Sequence, residues 1–376
     1  MSVQPTFSLL AATRHIGWGG VGKLRLILER LPKARVTLHD DADMVAITKE
    51  FLGPQQSFDA NPPSKFDVAL VINDPAVANR IADLDVPVVY VDSLPYVHRI
   101  ESDVPQLGRL AHYCAQKYPI DLFPLTSPLL SSWQDIRWID PVVPQPQNRR
   151  GGRGVVLSVG GLYSYNVAGV SAEMINAAVE SYLNIVLFPL VDFLLKSGRT
   201  ISAICGNINP ADCARLRAIV PDGVAVGPQP PKTFERILSD ADLLITSPGS
   251  TTILQAMSID LPTLLLPSQN RSQLINARVF SKTDADIMQW PASVLDMAEL
   301  ERMRALGLPA ANNYIYRSIL GAAASTERCH EVVTMIRNNV SRAPQDGVLD
   351  PRLHALGIAG ADQVAQLIEQ VALHAR

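Results

Sequence analysis

The chain has 376 residues, 47% hydrophobic and 18% charged, with 33 Lys and Arg against 36 Asp and Glu for a formal net charge of −3. That length and apolar content suit two globular domains, each large enough to bury its own core. The near-neutral balance excludes the basic footprint of a nucleic-acid or anionic-membrane binder, so neither is expected as a partner. In chain order, residues 7–12 read as a strand, followed by a glycine loop and a helix over 19–31. Residues 35–39, 67–73 and 87–92 read as further strands with helices between them, the rhythm of a parallel sheet covered on both faces.

Residues 140–154, DPVVPQPQNRRGGRG, then forbid regular structure and read as a solvated interdomain linker. The rhythm restarts with a strand over 154–159 that ends in Gly160-Gly161. A long helical region follows, and then strands over 201–205, 224–227, 243–246 and 263–266. In the tail, Val364, Leu367, Ile368 and Val371 recur at helical spacing. The expected organisation is an N-terminal Rossmann-like domain over 1–145, a second over 153–349 and a C-terminal helix over 350–376. Two such doubly wound α/β domains face each other across a cleft at the carboxyl ends of their strands, where open sheets bind ligands.

Cys114, Cys205, Cys213 and Cys329 show no C-x-x-C spacing, so reduced thiols in a cytoplasmic protein are expected. Residues 1–10 lack the pattern of a signal peptide. The most apolar stretch, 182–195, is interrupted by Asn184, Pro189 and Asp192 and reads as a buried helix.

Residues 240–280 carry the informative chemistry. A strand ends at Thr246-Ser247, turns through Pro248-Gly249 and meets a helix beginning Ser250-Thr251-Thr252. Gly249 lets backbone approach a ligand closely, while free N–H groups and the positive end of the helix dipole favour a phosphate. A plain hydroxyl N-cap is the simpler use of the same residues. The neighbours add to the first reading. A second strand ends at Pro267, and Gln273 and Asn276 follow at the start of the next helix, as amides suited to ribose or sugar hydroxyls. Arg271 offers a cation beside them, and Pro228-Gln229 forms a rigid loop after a third strand.

These residues resemble the donor-binding region of the UDP-glycosyltransferases and of the N-acetylglucosaminyltransferases that make lipid II. Those families carry W-x-P-Q, then G-x-x-T-x-x-E, a proline, and D-Q-x-x-N-A. Here Pro228-Gln229, Gly249 with Thr252, Pro267, and Gln273 with Asn276-Ala277 take those places. Val226 replaces the Trp, Gln255 the Glu and Ser272 the Asp. The resemblance thus implies a GT-B fold and a diphosphate site more directly than it implies a base or sugar. Gly160 and Gly161 correspond to the first donor-side loop. A metal-independent, inverting transfer is implied, with a UDP-sugar as co-substrate, no further cofactor and a small-molecule acceptor.

Three other patterns compete. Gly17-Trp18-Gly19-Gly20-Val21-Gly22 is a literal G-x-G-x-x-G with Asp40 and Asp41 downstream, which keeps an NAD-dependent oxidoreductase open. Against it, Thr13–Ile16 separate the strand end from the first glycine. A UDP-sugar epimerase or hydrolase and a non-catalytic subunit of the same fold also stay open. Asp41-Ala42-Asp43, Asp240-Ala241-Asp242 and Asp284-Ala285-Asp286 mimic D-x-D metal motifs, and three copies read as coincidence, so no metal is expected.

Candidate bases are His15, in the first loop, and Asp92, at a strand end, with His98 and Asp74 as rivals. The opening also resembles the G-W-G-x-x-G-K-L start of the cytosylglucuronate synthases. That likeness implies UDP-glucuronate as donor and cytosine or hydroxymethylcytosine as acceptor. Trp18, Gly19, Gly20, Asn73 and Tyr96 would then hold the base, and Lys23 or Arg271 the glucuronate carboxylate. The sequence leaves the oligomeric state open, homo-oligomers included.

Overall fold

The computed structural model describes residues 7–13, 19–39, 65–98, 103–120, 125, 128–163, 169–282, 287–342 and 349–375. It divides into two compact units, residues 1–145 with 354–376, and residues 146–353.

The first unit is built on β1 (Phe7–Thr13), α1 (Gly19–Leu28), β2 (Ala34–Leu38), β3 (Val68–Ile72), α2 (Pro75–Ala82), β4 (Val88–Asp92), β5 (His112–Gln116), α3 (Pro128–Ser132) and β6 (Ile136–Ile139). Its six strands are all parallel, in the order β2-β1-β3-β4-β5-β6. Strands β3, VALVI, and β4, VVYVD, are buried at every residue, as befits central strands covered on both faces. Their side chains alternate between two cores. Val68, Leu70, Ile72, Val89 and Val91 enter one, and Ala69, Val71, Val88 and Tyr90 the other.

The first of those cores is completed from far along the chain. α13 (Gly360–His374) presents Ala361, Val364, Ala365, Ile368 and Ala372 to it, beside α1. Val364 and Ile368 are fully buried, worth about 1.5–3 kcal/mol each. Asp140, just past β6, anchors the start of this helix. Its Oδ1 accepts from Lys117 Nζ at 2.7 Å, its Oδ2 from the Ala359 N–H at 3.2 Å, and its own N–H donates to Gln363 Oε1 at 2.7 Å. Gly360 packs so closely that a Cβ there would lie 2.1 Å from the Asp140 carbonyl oxygen.

The second unit contains β7 (Val155–Val159), α4 (Ala172–Tyr182), α5 (Phe188–Lys196), β8 (Ile201–Gly206), α6 (Pro210–Arg217), β9 (Ala225–Gly227), α7 (Pro231–Asp240), β10 (Leu243–Thr246), α8 (Ser250–Ser258), β11 (Thr263–Leu265), α9 (Arg271–Phe280), α10 (Met297–Ala305), α11 (Leu308–Ala323) and α12 (Thr326–Ser341). Its parallel sheet runs β11-β10-β7-β8-β9. The chain therefore moves outward from β7 through β8 and β9, then returns to the other side of β7 with β10 and β11. The reversal between β7 and β10 is the topological switch point, where open α/β sheets hold ligands.

α4 and α5 are joined by a π-helical stretch, Leu183–Leu187, immediately before Pro189. Proline has no N–H to continue the i→i−4 ladder, and the wider turn takes up the break. By length and composition Ala172–Lys196 is apolar enough to cross a membrane, with a mean hydropathy of 1.6. Its Ile175, Val179, Tyr182, Leu183, Val186, Leu187, Leu190 and Leu194 are buried within the second unit, the buried helix expected from the sequence.

Residues 140–154 hold neither helix nor strand. The Asp240-Ala241-Asp242 triplet anchors this segment at the amino end of β10. Asp240 pairs with Arg150 at 2.7 Å, and Asp242 accepts from the Gly152 and Gly154 N–H groups at 2.6 and 2.8 Å. Among the described residues no group of three or more His, Cys, Asp and Glu is placed to hold a metal. Asp41, Asp43, Asp284 and Asp286 lie outside the described residues.

Burial alone would raise the Asp140 carboxyl, but the bonds from Lys117 and Ala359 bring it below its ordinary value. A depressed folded pKa stabilises the fold above the unfolded value and loses that effect as pH falls through the folded one. Asp140→Asn should therefore lower Tm at neutral pH. The gap to the parent protein should close below about pH 4, read by thermal melts across pH.

Candidate active site

In the second unit, three neighbouring strands deliver their carboxyl ends to one place. β7 ends in Gly160-Gly161, β10 in Ser247-Pro248-Gly249, and β11 in the run from Pro267 to Asn270 that opens α9. At the middle turn the Gly249 N–H donates to the Ser247 carbonyl at 2.6 Å, and α8 starts at once. Gly249 is its N-cap and brings no side chain, so residue 249 caps none of the first N–H groups. Ser250 is buried there, and Thr251 and Thr252 are half-buried beside it. A helix N-terminus with its first amides uncapped by residue 249 is the kind of place that favours an anion.

Side-chain amides hold the three strand ends together. Gln273 Nε2 donates to the Gly160 carbonyl at 3.1 Å, while its Oε1 accepts from the Gln269 N–H at 2.8 Å. Asn276 Nδ2 donates to the Pro248 carbonyl at 2.9 Å. Gln269 Nε2 donates to Ser247 Oγ at 2.8 Å, and Asn270 Oδ1 caps α9 by accepting from the Gln273 N–H at 3.0 Å. The Tyr182 hydroxyl donates to the Pro267 carbonyl at 2.8 Å, and Trp290 Nε1 to the Ser268 carbonyl at 2.7 Å.

Gln273 and Asn276, expected to reach for sugar hydroxyls, thus make bonds to backbone in this structure. Gln255 is buried on α8, and Arg271 is half-buried at the first position of α9. Gln229 follows β9, the sheet's far edge, with its Nε2 on the Gly227 carbonyl at 3.3 Å.

In the first unit the polar groups gather at the ends of β3, β4 and β5. Asn73, at φ 56°, follows β3, and Asn tolerates that left-handed backbone. Its Nδ2 donates to Ser93 Oγ, and its Oδ1 accepts from the Ser93 N–H, both at 2.9 Å. Asp92 is the last residue of β4 and is 1% exposed. Its Oδ1 accepts from the Leu94 N–H at 2.9 Å. Its Oδ2 meets His98 Nε2 at 2.7 Å and accepts from the Tyr113 hydroxyl.

Burial pushes Asp92 up, but the charge and hydrogen bond of His98, with Tyr113 and Leu94, bring it below the ordinary carboxylate value. Tyr96, Tyr113 and Tyr118 are all pushed up by burial and by the Asp92 charge, so each keeps its proton. The Tyr96 and Tyr118 rings lie 4.7 Å apart, and Tyr118 and Trp138 6.2 Å apart. Lys23 sits within α1 at 1% exposure, and burial pulls its amine down to about 8. Gly19 and Gly20 open the same helix, whereas His15 and Trp18 lie outside the described residues.

Sequence reading passed over Gln269, Tyr113, Tyr118, Tyr182 and Trp290. Gln269 carried one local signal, a polar residue directly after an apolar strand. The others act on residues 20 or more positions away and leave no nearby pattern.

No curated protein matches the sequence. Solved structures of similar architecture include MurG of Acinetobacter baumannii, 12% identical with a TM-score of 0.45, covering 97% of this chain and 99% of that one. A UDP-glucosyltransferase from Polygonum tinctorium is 12% identical with a TM-score of 0.46, covering 100% and 99%. The UDP-GlcNAc 2-epimerase of Neisseria meningitidis is 11% identical with a TM-score of 0.45, covering 98% and 99%. A family model described as CGA synthase-related protein matches residues 34–294, more than half of the chain.

Gly161 has φ +80°, and a Cβ there would lie 2.6 Å from Gln273 Nε2. Gly161→Ala should cost about 1–3 kcal/mol through the strained backbone and displace the Gln273 bridge. Gly160→Ala, whose Cβ meets nothing within 4 Å, should keep parental stability. Denaturant unfolding of the two variants separates these outcomes.

Proposed function

The chain belongs to the CGA synthase-related family, and from that premise we propose that it is a glycosyltransferase taking a sugar from a UDP-sugar to a small acceptor. The observation that carries the reading is the start of α8. Gly249, Ser250, Thr251 and Thr252 form a helix N-terminus at the switch point of the second unit, with Gly160-Gly161 on the neighbouring strand end. A leaving diphosphate gathers negative charge in the transition state. Backbone amides, three hydroxyls and a dipole end fixed in advance would stabilise that charge. No metal is required in such a scheme, and direct displacement inverts the anomeric carbon.

The amide bridges of Gln273, Asn276 and Gln269 would hold the diphosphate loops at fixed spacing. Gln255, Arg271 and Gln229 would be the groups for ribose, sugar and base. Asn73, Tyr96 and Lys23 would contact the acceptor within this reading, and Asp92 or His15 would be the base. Within this reading the sugar is glucuronate and the acceptor cytosine. The support is the stretch from Gly17 to Leu24, with its likeness to cytosylglucuronate synthases, together with the family match. A cytosine nitrogen is a better nucleophile than an alcohol and asks less of its base.

The direct test incubates the protein with UDP-glucuronate and cytosine and follows UDP release and the mass of a cytosine–glucuronate adduct. Transfer to a different acceptor would discard cytosine and keep the glycosyltransferase. In thermal-shift measurements UDP at 100 times its Kd should add about 2.7 kcal/mol, and NADH should add nothing; the reverse pattern overturns the donor site. Thr252→Ala should lower kcat/KM for the donor about 10- to 100-fold, through loss of a charge-assisted hydrogen bond, while Tm changes little. Steady-state kinetics at subsaturating donor measures it.

A further inference from the structure

We propose that Tyr182 is a positioning residue for the donor diphosphate. Its buried hydroxyl anchors a chain of hydrogen bonds through Ser247 and Gln269 that fixes the turn from which α8 begins. The inference rests on the glycosyltransferase reading and deepens it, by assigning what sets the place of that turn.

The end of α4 delivers the ring. Ile175, Ala178, Val179 and Tyr182 recur at helical spacing and are all buried, so Tyr182 closes the face that this helix turns to the core. It is 1% exposed, and the π-helical stretch Leu183–Leu187 starts directly after it. Its ring meets Trp290 edge to face, with centroids 6.0 Å apart. The two aromatic donors take successive carbonyls of the run after β11. Tyr182 Oη donates to Pro267 at 2.8 Å and Trp290 Nε1 to Ser268 at 2.7 Å.

The third residue of that run extends the chain to the turn. Gln269 Nε2 donates to Ser247 Oγ at 2.8 Å, and the Ser247 and Gln269 side chains both hydrogen-bond with the Tyr182 hydroxyl. The single proton of that hydroxyl goes to the Pro267 carbonyl, so toward its two polar neighbours the oxygen is an acceptor. Burial pushes the phenol well above its ordinary value and these bonds bring it only partly back, so it keeps its proton. Donation then runs one way, from Gln269 and Ser247 into Tyr182 and on to Pro267. Bonds in such a chain polarise one another, and removing one member weakens the others.

Backbone pairing leaves the turn itself to side chains. The Ser247 N–H still pairs with the Ser158 carbonyl of β7 at 2.9 Å. Pro248 then has no N–H, and the Gly249 N–H turns back to the Ser247 carbonyl. Asn276 holds the Pro248 carbonyl, and the Tyr182 chain holds the Ser247 side chain. A helix dipole acts on an anion only within the first turn, so a small shift of Ser247 would move the first amides of α8 relative to a bound diphosphate.

The test measures the UDP affinity of the full chain by calorimetry, with thermal melts alongside. Tyr182→Phe keeps the ring on Trp290 and removes only the hydroxyl, and Ser247→Ala breaks the next link. Each should weaken UDP binding about fivefold, the scale of one lost hydrogen bond. The double variant should lose no more than about fivefold as well, since both changes break the same chain. Losses that multiply to about 25-fold overturn the proposal, because Tyr182 would then act independently of Ser247. So does a Tyr182→Phe affinity within about twofold of the parent, whatever its Tm, which would leave the hydroxyl a bond of the fold alone. Gln269→Ala cuts the chain at its other end. Should Tyr182→Phe not fold, it carries the same test, with the same loss expected and none added to that of Ser247→Ala. A folded parent that binds no UDP removes the glycosyltransferase reading of this site, and the proposal with it.

Discussion

One primary amide holds the candidate donor site in shape. Gln273 spans the exits of β7 and β11, donating to the Gly160 carbonyl and accepting from the Gln269 N–H. Neither backbone group can reach a partner in its own strand once the chain has left the sheet, and a buried backbone group left unpaired is destabilising. Gln269 is thereby fixed and orients Ser247, while Asn276 pins the Pro248 carbonyl from the same helix. Three loops that no strand ladder connects become one surface. The close approach of Gln273, together with the positive φ of Gly161, also disfavours a side chain at position 161.

The sequence made the strands legible wherever local pattern and tertiary role agree. Residues 243–246 coincide with β10, and 7–12 fall within β1 by one residue. β5, HYCAQ, escapes because His112 and Gln116 break the apolar run, although Tyr113, Cys114 and Ala115 are buried. β6, IRWI, is an edge strand whose Arg137 and Trp138 are exposed. The spacing of Val364, Ile368 and their neighbours announces a helix over the tail. Which core it joins is decided by contacts with residues more than 200 positions earlier, and no local window holds that information.

The site divides in the same way. A strand, a glycine turn and hydroxyls at a helix start lie within ten residues, so Ser247 to Thr252 could be read directly. Gln273 and Asn276 are recognisable as a motif, but their bonds run to backbone 113 and 28 residues away. Asp92 is visible as a carboxylate ending an apolar strand. Its hydrogen bond to His98 depends on the turn through Leu94 and Pro95, which spacing alone does not specify.

The placement of α13 has a consequence for how the protein is made. Strand β6 emerges from the ribosome roughly two hundred residues before Gly360, and translation at about 5–20 residues per second makes that interval on the order of 10–40 s. Throughout it the face of the first sheet that Ala361, Val364, Ala365 and Ile368 will cover is bare. The second unit is contiguous in sequence and needs nothing synthesised after Leu353. The half translated later is therefore able to fold first. The half translated earlier lacks its closing helix until residues 360–374 have left the exit tunnel.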